Sequence, residues 1–143
     1  MHASNLQIHH YFLSGFTYSV NPNFDPARDV DIKWSDISVN FEKKPLNEQK
    51  KRDWQVDLRV AFSPSATGNS PYTFSAEMVG FFTVSDKVRD DKVEFYIETN
   101  ATSVLYSTLR YIVCTITAKG PFRPLLLPTV SFYEQNDTIP AEK

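Results

Sequence analysis

Trp54-Gln-Val-Asp-Leu-Arg-Val-Ala-Phe62 alternates large apolar residues with polar or small ones throughout its length. A period of two puts Trp54, Val56, Leu58, Val60 and Phe62 on one face of a strand and Gln55, Asp57, Arg59 and Ala61 on the other. One face for a core and one for water is the pattern of an antiparallel sheet. Downstream, Tyr72, Phe74, Ala76, Met78, Gly80, Phe82 and Val84 share a face opposite Thr73, Ser75 and Glu77, while Val79 and Phe81 make the far end apolar on both sides. The stretch between, Pro64 to Pro71, holds Ser, Thr, Gly and Asn and reads as a turn. Upstream, Leu6, Ile8, Phe12, Phe16, Tyr18 and Val20 share one parity that Tyr11 and Leu13 break, which predicts a strand that is bulged or buried on both faces. Asn21-Pro-Asn-Phe-Asp-Pro26 reads as a turn. Val30, Ile32 and Trp34 are followed by Ile37, Val39 and Phe41 in the opposite parity, which predicts a strand with a bulge at Ser35-Asp36. The charged stretch from Glu42 to Asp53, with Pro45 in it, reads as a loop.

After Asp90 the period changes. Leu105, Leu109, Ile112, Val113 and Ile116 fall on one stripe of a helix. Thr99 or Asn100 is positioned to cap its start, Lys119 falls in its last turn, Gly120 at the position just past its end, and Pro121 and Pro124 forbid continuation. Val113, Thr115, Ile116 and Thr117 are weak helix formers, so this helix depends on tertiary or intersubunit packing. Strands followed by a helix give an α+β fold with the helix on one face of an antiparallel sheet, in a single domain spanning 1–143.

The chain has 143 residues with a formal net charge of −2, and Leu, Ile, Val and Phe make up 39 of them, enough for a core. No basic excess is available for phosphate neutralisation, so nucleic acid is not expected as a partner. The single cysteine, Cys114, excludes an intrachain disulfide and reads as a small buried hydrophobe. No apolar run approaches the roughly 20 residues of a membrane span, and the first residues lack the apolar stretch of an export signal, so a cytoplasmic protein without membrane insertion is expected. His9 and His10, as neighbours on a strand, point to opposite faces and are not expected to share a metal. Asp86, Asp90, Asp91 and Glu94 lack the ligand spacing of a calcium loop and read as a solvated loop. No catalytic set, metal site or cofactor motif emerges. The 20 aromatics are a high load, and aromatics beyond what a core needs point to an interaction surface.

The C-terminal third, Ala101-Thr-Ser-Val-Leu-Tyr-Ser-Thr-Leu-Arg110 and then Thr117-Ala-Lys-Gly-Pro-Phe-Arg-Pro-Leu-Leu-Leu-Pro-Thr-Val-Ser-Phe132, resembles the SecB family of export chaperones. That family joins a hydrophobic-Tyr-x-x-x-Arg helix to a Gly-x-(Phe)-Pro-x-Leu-x-Leu-x-Pro-Val-x-Phe block. Phe16-Thr-Tyr before Asn21-Pro22 looks like its first strand, Trp54-Gln-Val-Asp-Leu-Arg-Val like its third, and Phe74-Ser-Ala-Glu-Met-Val-Gly-Phe-Phe-Thr-Val84 like its fourth. The resemblance covers about 6–134 and leaves a polar tail over 135–143.

The resemblance implies a four-stranded antiparallel sheet with one long helix, plus short helical turns, on one face. It implies a homo-oligomer, a dimer or a dimer of dimers, that holds unfolded or nascent polypeptides in apolar grooves without ATP. Leu105, Leu109, Ile112, Val113 and Ile116 are the candidates for the contact between copies. The client-groove candidates are Trp34, Phe41, Leu46, Phe122, Leu126 and Phe132, with the groove between the crossover loop and the region after the helix. The family docks the SecA motor on carboxylates of its first and fourth strands. Here the matching positions are Gly15, Ser19 and Ser75, with Glu77 the acidic residue nearby, so weak or absent SecA docking is expected. Alternatives in the same sequence are a chaperone dedicated to one antitoxin, or a small domain binding an apolar small molecule between helix and sheet.

Overall fold

Four strands form one antiparallel sheet in the order β1-β4-β3-β2: β1 is Leu6–Val20, β2 Ile37–Pro45, β3 Asp53–Phe62 and β4 Tyr72–Val84. The computed structural model describes residues 1–132, so the tail expected over 135–143 lies outside the described residues. In β3 and β4 the sequence alternation becomes an alternation of burial: Trp54, Val56, Leu58, Val60 and Phe62 are buried, as are Tyr72, Phe74, Ala76, Met78, Gly80, Phe82 and Val84. Strand β1 carries register shifts between Ile8 and His10 and between Leu13 and Gly15, and these bulges account for the parity breaks at Tyr11 and Leu13. The first bulge also overturns the opposite-face expectation for the histidines. His9 reaches Thr83 at 2.6 Å and His10 stacks on Phe81, and both partners lie on the outer face.

Two expectations around β2 fail for local reasons. Residues 30–34 make no strand. Asp31 bridges Asn69, and Trp34–Asp36 closes a 3-10 turn in which the Asp36 carboxylate accepts from the backbone N–H of Ser65 at 3.0 Å. A side chain committed to that turn replaces the inferred bulge. Strand β2 then runs on to Pro45, past the point where the charges begin. Its inward position Lys43 is a cation, but Glu94 and Glu98 from the helical segment each meet its Nζ at 3.0 Å. The pattern was hidden because an ion pair occupies an apolar slot.

The helical segment begins at Val93, after a 3-10 turn over Asp90–Lys92, and not at Thr99. A short α1 (Val93–Tyr96) passes through a π turn, Ile97–Ala101, into α2 (Thr102–Thr117). Thr99 and Asn100 sit within the π turn; the Thr99 hydroxyl donates back to the Phe95 carbonyl at 3.0 Å instead of capping. Val93, Ile97, Ala101, Leu105, Leu109, Val113 and Thr117 are all buried at a spacing of four. That spacing overshoots a 3.6-residue turn, and the wider π turn takes up part of the excess. Leu105 lies over Gly80, where an added Cβ would come within 2.8 Å of its Cδ2, so the glycine sets how closely helix and sheet approach.

Gly120 is also required for room, and not for a left-handed backbone: no described glycine has positive φ. A Cβ there would lie 2.3 Å from the Tyr72 hydroxyl. Gly120→Ala should therefore destabilise by about 1–3 kcal/mol by overpacking. Combined with Tyr72→Phe, the loss measured by urea unfolding should be smaller than the sum of the two single variants, because the nearest clashing atom is gone.

Lys43 supplies a second expectation. Burial pushes its pKa down, but hydrogen bonds and charge from Glu94 and Glu98 outweigh that and raise it above the usual 10.5. A pKa raised by folding contributes stability that is complete below the unfolded value and lost as pH climbs through the folded one. Unfolding free energy should thus fall as pH climbs past the usual lysine value, and Lys43→Met should cost about 1 kcal/mol at about pH 8 and progressively less as the pH rises through the raised one.

Candidate functional site

Strands β1 and β2 lie on opposite edges, so the connection over 21–36 must cross the end of β4 and β3. It does so against the β3–β4 turn, where Asn69 is almost completely buried. The Asn69 amide donates to the carbonyls of Asp25 at 3.0 Å and Asp29 at 3.0 Å, with Arg28 at 3.4 Å, and its Oδ1 accepts from the Asp25 N–H at 3.0 Å. Its own backbone exchanges two bonds with Asp31, at 2.8 and 3.0 Å. One side chain thus fixes the whole crossover turn.

The segment after the helix forms the facing wall. The Tyr72 hydroxyl accepts from the Phe122 N–H at 2.9 Å and donates to the Phe122 carbonyl at 3.3 Å. Further along, the Thr117 hydroxyl accepts from Leu125 N–H at 2.8 Å, Arg110 donates to the Leu127 carbonyl at 2.9 Å, and the Tyr106 hydroxyl donates to the Pro128 carbonyl at 2.8 Å. Burial raises the Tyr106 phenol pKa above its usual 10.0, opposed by the nearby Arg110 charge. The extended chain therefore sinks Leu125 and Leu127 into the core and turns Leu126 outward, 67% exposed.

Between these walls is a cleft of about 290 Å³. Phe24, Val30 and Phe122 are among its apolar lining residues, and Arg28, Asp29 and Arg123 are its charged ones. The rings of Phe24 and Phe122 meet edge to face at 5.0 Å.

Of the six groove candidates, Phe122 lies in this cleft, Trp34 is exposed in the 3-10 turn that ends the crossover, and Leu126 is exposed on the post-helix segment. Leu46 is exposed beyond Pro45, at the other end of β2, so the structure does not bring it to the cleft. Phe41 is half-buried on the inner face of β2. Phe132 is placed in the core, 1% exposed, with its ring against Phe41 at 6.5 Å and Tyr106 at 5.9 Å, and has no free surface to offer. Of the interface candidates, Leu105, Leu109 and Val113 are fully buried within one chain, so a second copy cannot reach them. Ile112 and Ile116 are half-buried, as is Cys114. The outward side of α2 instead presents Val104, Ser107, Thr108, Tyr111 and Thr115, a surface without a charge.

Two further apolar or neutral surfaces flank the site. The inner-face residues of β1 lie past the reach of the helix: Leu13 and Phe16 are half-buried, and Ile8, Tyr11, Tyr18 and Val20 are exposed. On the outer face, Gly15 pairs with Glu77, Ser19 bonds Thr73 at 2.9 Å, and Glu77 is matched by Arg59 at 3.5 Å.

Phe24, Asn69 and Tyr72 were not singled out from the sequence as site residues. Phe24 had a signal, since an aromatic inside Asn-Pro-Asn-Phe-Asp-Pro is not something turn chemistry asks for. Asn69 had none, because a turn Asn and a clasp Asn look the same. Among the described residues no three His, Cys, Asp or Glu side chains converge as metal ligands, and no helix is long and apolar enough to cross a membrane.

A family model described as preprotein translocase subunit SecB matches residues 6–137. An uncharacterized protein of Methanocaldococcus jannaschii is 36% identical over 108 residues, covering 74% of this chain and 67% of that protein. Among solved structures, the fold is similar to that of a Mycobacterium tuberculosis SecB-like chaperone in complex with a ChAD peptide from the HigA1 antitoxin. The TM-score is 0.58 at 17% identity, over 89% of this chain and 91% of that one, and a likeness at this identity is one of fold.

Asn69 gives the site its test. Asn69→Asp keeps the shape but aims acceptors at backbone carbonyls in place of donors. Stability should fall by about 2 kcal/mol or more, read by urea denaturation; a variant as stable as the parent would remove Asn69 as the clasp.

Proposed function

The chain belongs to the SecB family, and from that premise we propose that it is a chaperone that holds unfolded or nascent polypeptides without nucleotide, in the cytoplasm. The observation that carries this reading is the cleft beside the post-helix segment. It is walled by backbone already fixed by Asn69 and Tyr72 and lined by Phe24 and Phe122, and the same post-helix segment turns Leu126 outward. A preformed cleft with an aromatic pair in it spares a client the cost of ordering the protein, and hydrophobic contact with that pair reads many sequences.

The same reading includes assembly. Ile8, Tyr11, Tyr18 and Val20 on the edge strand and the uncharged outward side of α2 are apolar or neutral surfaces that the described residues leave uncovered. A dimer, or a dimer of dimers, would cover them; the surface that matters on α2 is then the one around Tyr111, not the buried stripe. The outer sheet face at Gly15, Ser19 and Ser75 offers hydroxyls and one ion-paired carboxylate, which supports weak docking to SecA. The antitoxin peptide bound by the Mycobacterium tuberculosis neighbour favours a second reading of the same site, a dedicated polypeptide partner in place of general export.

At a one-to-one ratio without nucleotide, the protein should suppress the aggregation of a chemically unfolded client, followed by turbidity. Leu126→Ser should leave the melting temperature unchanged and weaken that suppression, whereas Phe132→Ala should cost about 3–5 kcal/mol of stability. A parent protein that leaves aggregation untouched overturns the holding function. Light scattering that finds only a 16.4 kDa species at micromolar concentration overturns the assembly.

A further inference from the structure

We propose that the cleft between the crossover and the post-helix segment selects client segments in which a large apolar or aromatic residue is flanked by carboxylates. The inference rests on the holding function proposed above and adds a sequence preference to it. At about 290 Å³ the cleft is sized for a side chain or two, and Phe24 edge-on to Phe122 gives that side chain an aromatic seat.

The charge of the rim is the informative part. The chain as a whole is slightly acidic, with 17 carboxylate residues against 15 basic ones. Yet the cleft is lined by Arg28 and Arg123 against a single carboxylate, Asp29. Neither guanidinium makes an ion pair with another described residue, although Lys33, Lys43, Arg52, Arg59 and Arg89 all do. Both are carried on held backbone. Asn69 ties down the turn that carries Arg28, and the Tyr72 hydroxyl pins Phe122, the residue before Arg123. Two unpaired guanidiniums on held backbone beside an aromatic seat can each take a carboxylate oxygen pair in a fork geometry, while a lysine-flanked segment meets like charge in the same place.

The test uses the full chain and three short fluorescent peptides that share a central Phe-Leu-Phe and differ only in flanking Glu, Ser or Lys, with affinity read by anisotropy. At about 50 mM salt the Glu-flanked peptide should bind about fivefold tighter than the Lys-flanked one, and the gap should close at about 0.5 M. The double variant Arg28→Gln with Arg123→Gln should bring the Glu and Lys peptides together. It should shift the Ser-flanked peptide less than the Glu- or Lys-flanked one and leave the melting temperature unchanged. Phe122→Ser should weaken all three. Equal affinities in the parent, or a preference for Lys, overturn the charge selection and leave the holding function standing. Failure of all three peptides to bind overturns the holding function and this inference together. If the arginine double variant changes the mass seen by light scattering while peptide affinities stay as in the parent, the rim is a contact between copies and the inference fails.

Discussion

One helix is too narrow for this sheet. With side chains an α-helix is about 10–12 Å across, and neighbouring strands lie about 4.8 Å apart, so a single helix covers roughly two strands. Here α2 sits on β3 and β4, where Leu105, Leu109 and Val113 are buried against Leu58, Met78 and Phe82 in a common core. The two edge strands are left to other solutions. Over β2 the chain folds back after Gly120 and brings Phe132 onto Phe41. Over β1 the described residues bring only partial cover. The candidate surfaces of the molecule follow from this shortage: the returning segment becomes one wall of the cleft, and β1 keeps an apolar row on its inner face.

How the returning segment is held matters as much as that it returns. An extended chain packed beside a helix must find partners for its backbone groups. Thr117, Arg110, Tyr106 and Tyr72 supply them from the helix and from β4, so the segment behaves as a docked ligand of the chain itself. Its alternation puts Leu125 and Leu127 inward and Leu126 outward, the period of two of an extended chain.

The sheet was legible in the sequence because β3 and β4 are buried on one face along their whole length, and a period of two survives every residue. The bulges of β1 were legible too, as parity breaks at Tyr11 and Leu13. What was lost had a physical reason each time. Lys43 hid the end of β2 because an inward cation with two glutamate partners reads as a loop charge. The sequence pattern points to a helix start at Thr99, later than the observed Val93, because the π turn shifts the phase of Val93 and Ile97 against the stripe that begins at Leu105. Gly120 was read as a helix stop, when its lack of a side chain serves the ring of Tyr72. Phe122, which lines the cleft, and Leu126, which is exposed, are named by elimination, as apolar residues that strand and helix do not need. Phe132 passed the same filter and failed, since elimination cannot see a second layer of core. Asn69 and Tyr72 stayed invisible as site residues because their partners are backbone atoms far away in sequence.

Asn69, Ser70, Pro71 and Tyr72 are consecutive and all buried. The first of them holds the crossover wall and the last holds the post-helix wall, while the Ser70 and Pro71 carbonyls between them take the Asn21 side chain and N–H at 2.9 and 2.8 Å. The cleft is therefore a caliper whose two jaws are mounted on one pivot. Its gauge is set by the Asn69 amide and the Tyr72 hydroxyl, carried on four consecutive buried residues, and not by the rotamers of Phe24 and Phe122 inside it. Side chains lining the jaws can be exchanged without changing the gap, whereas a substitution at the pivot alters it along its whole length.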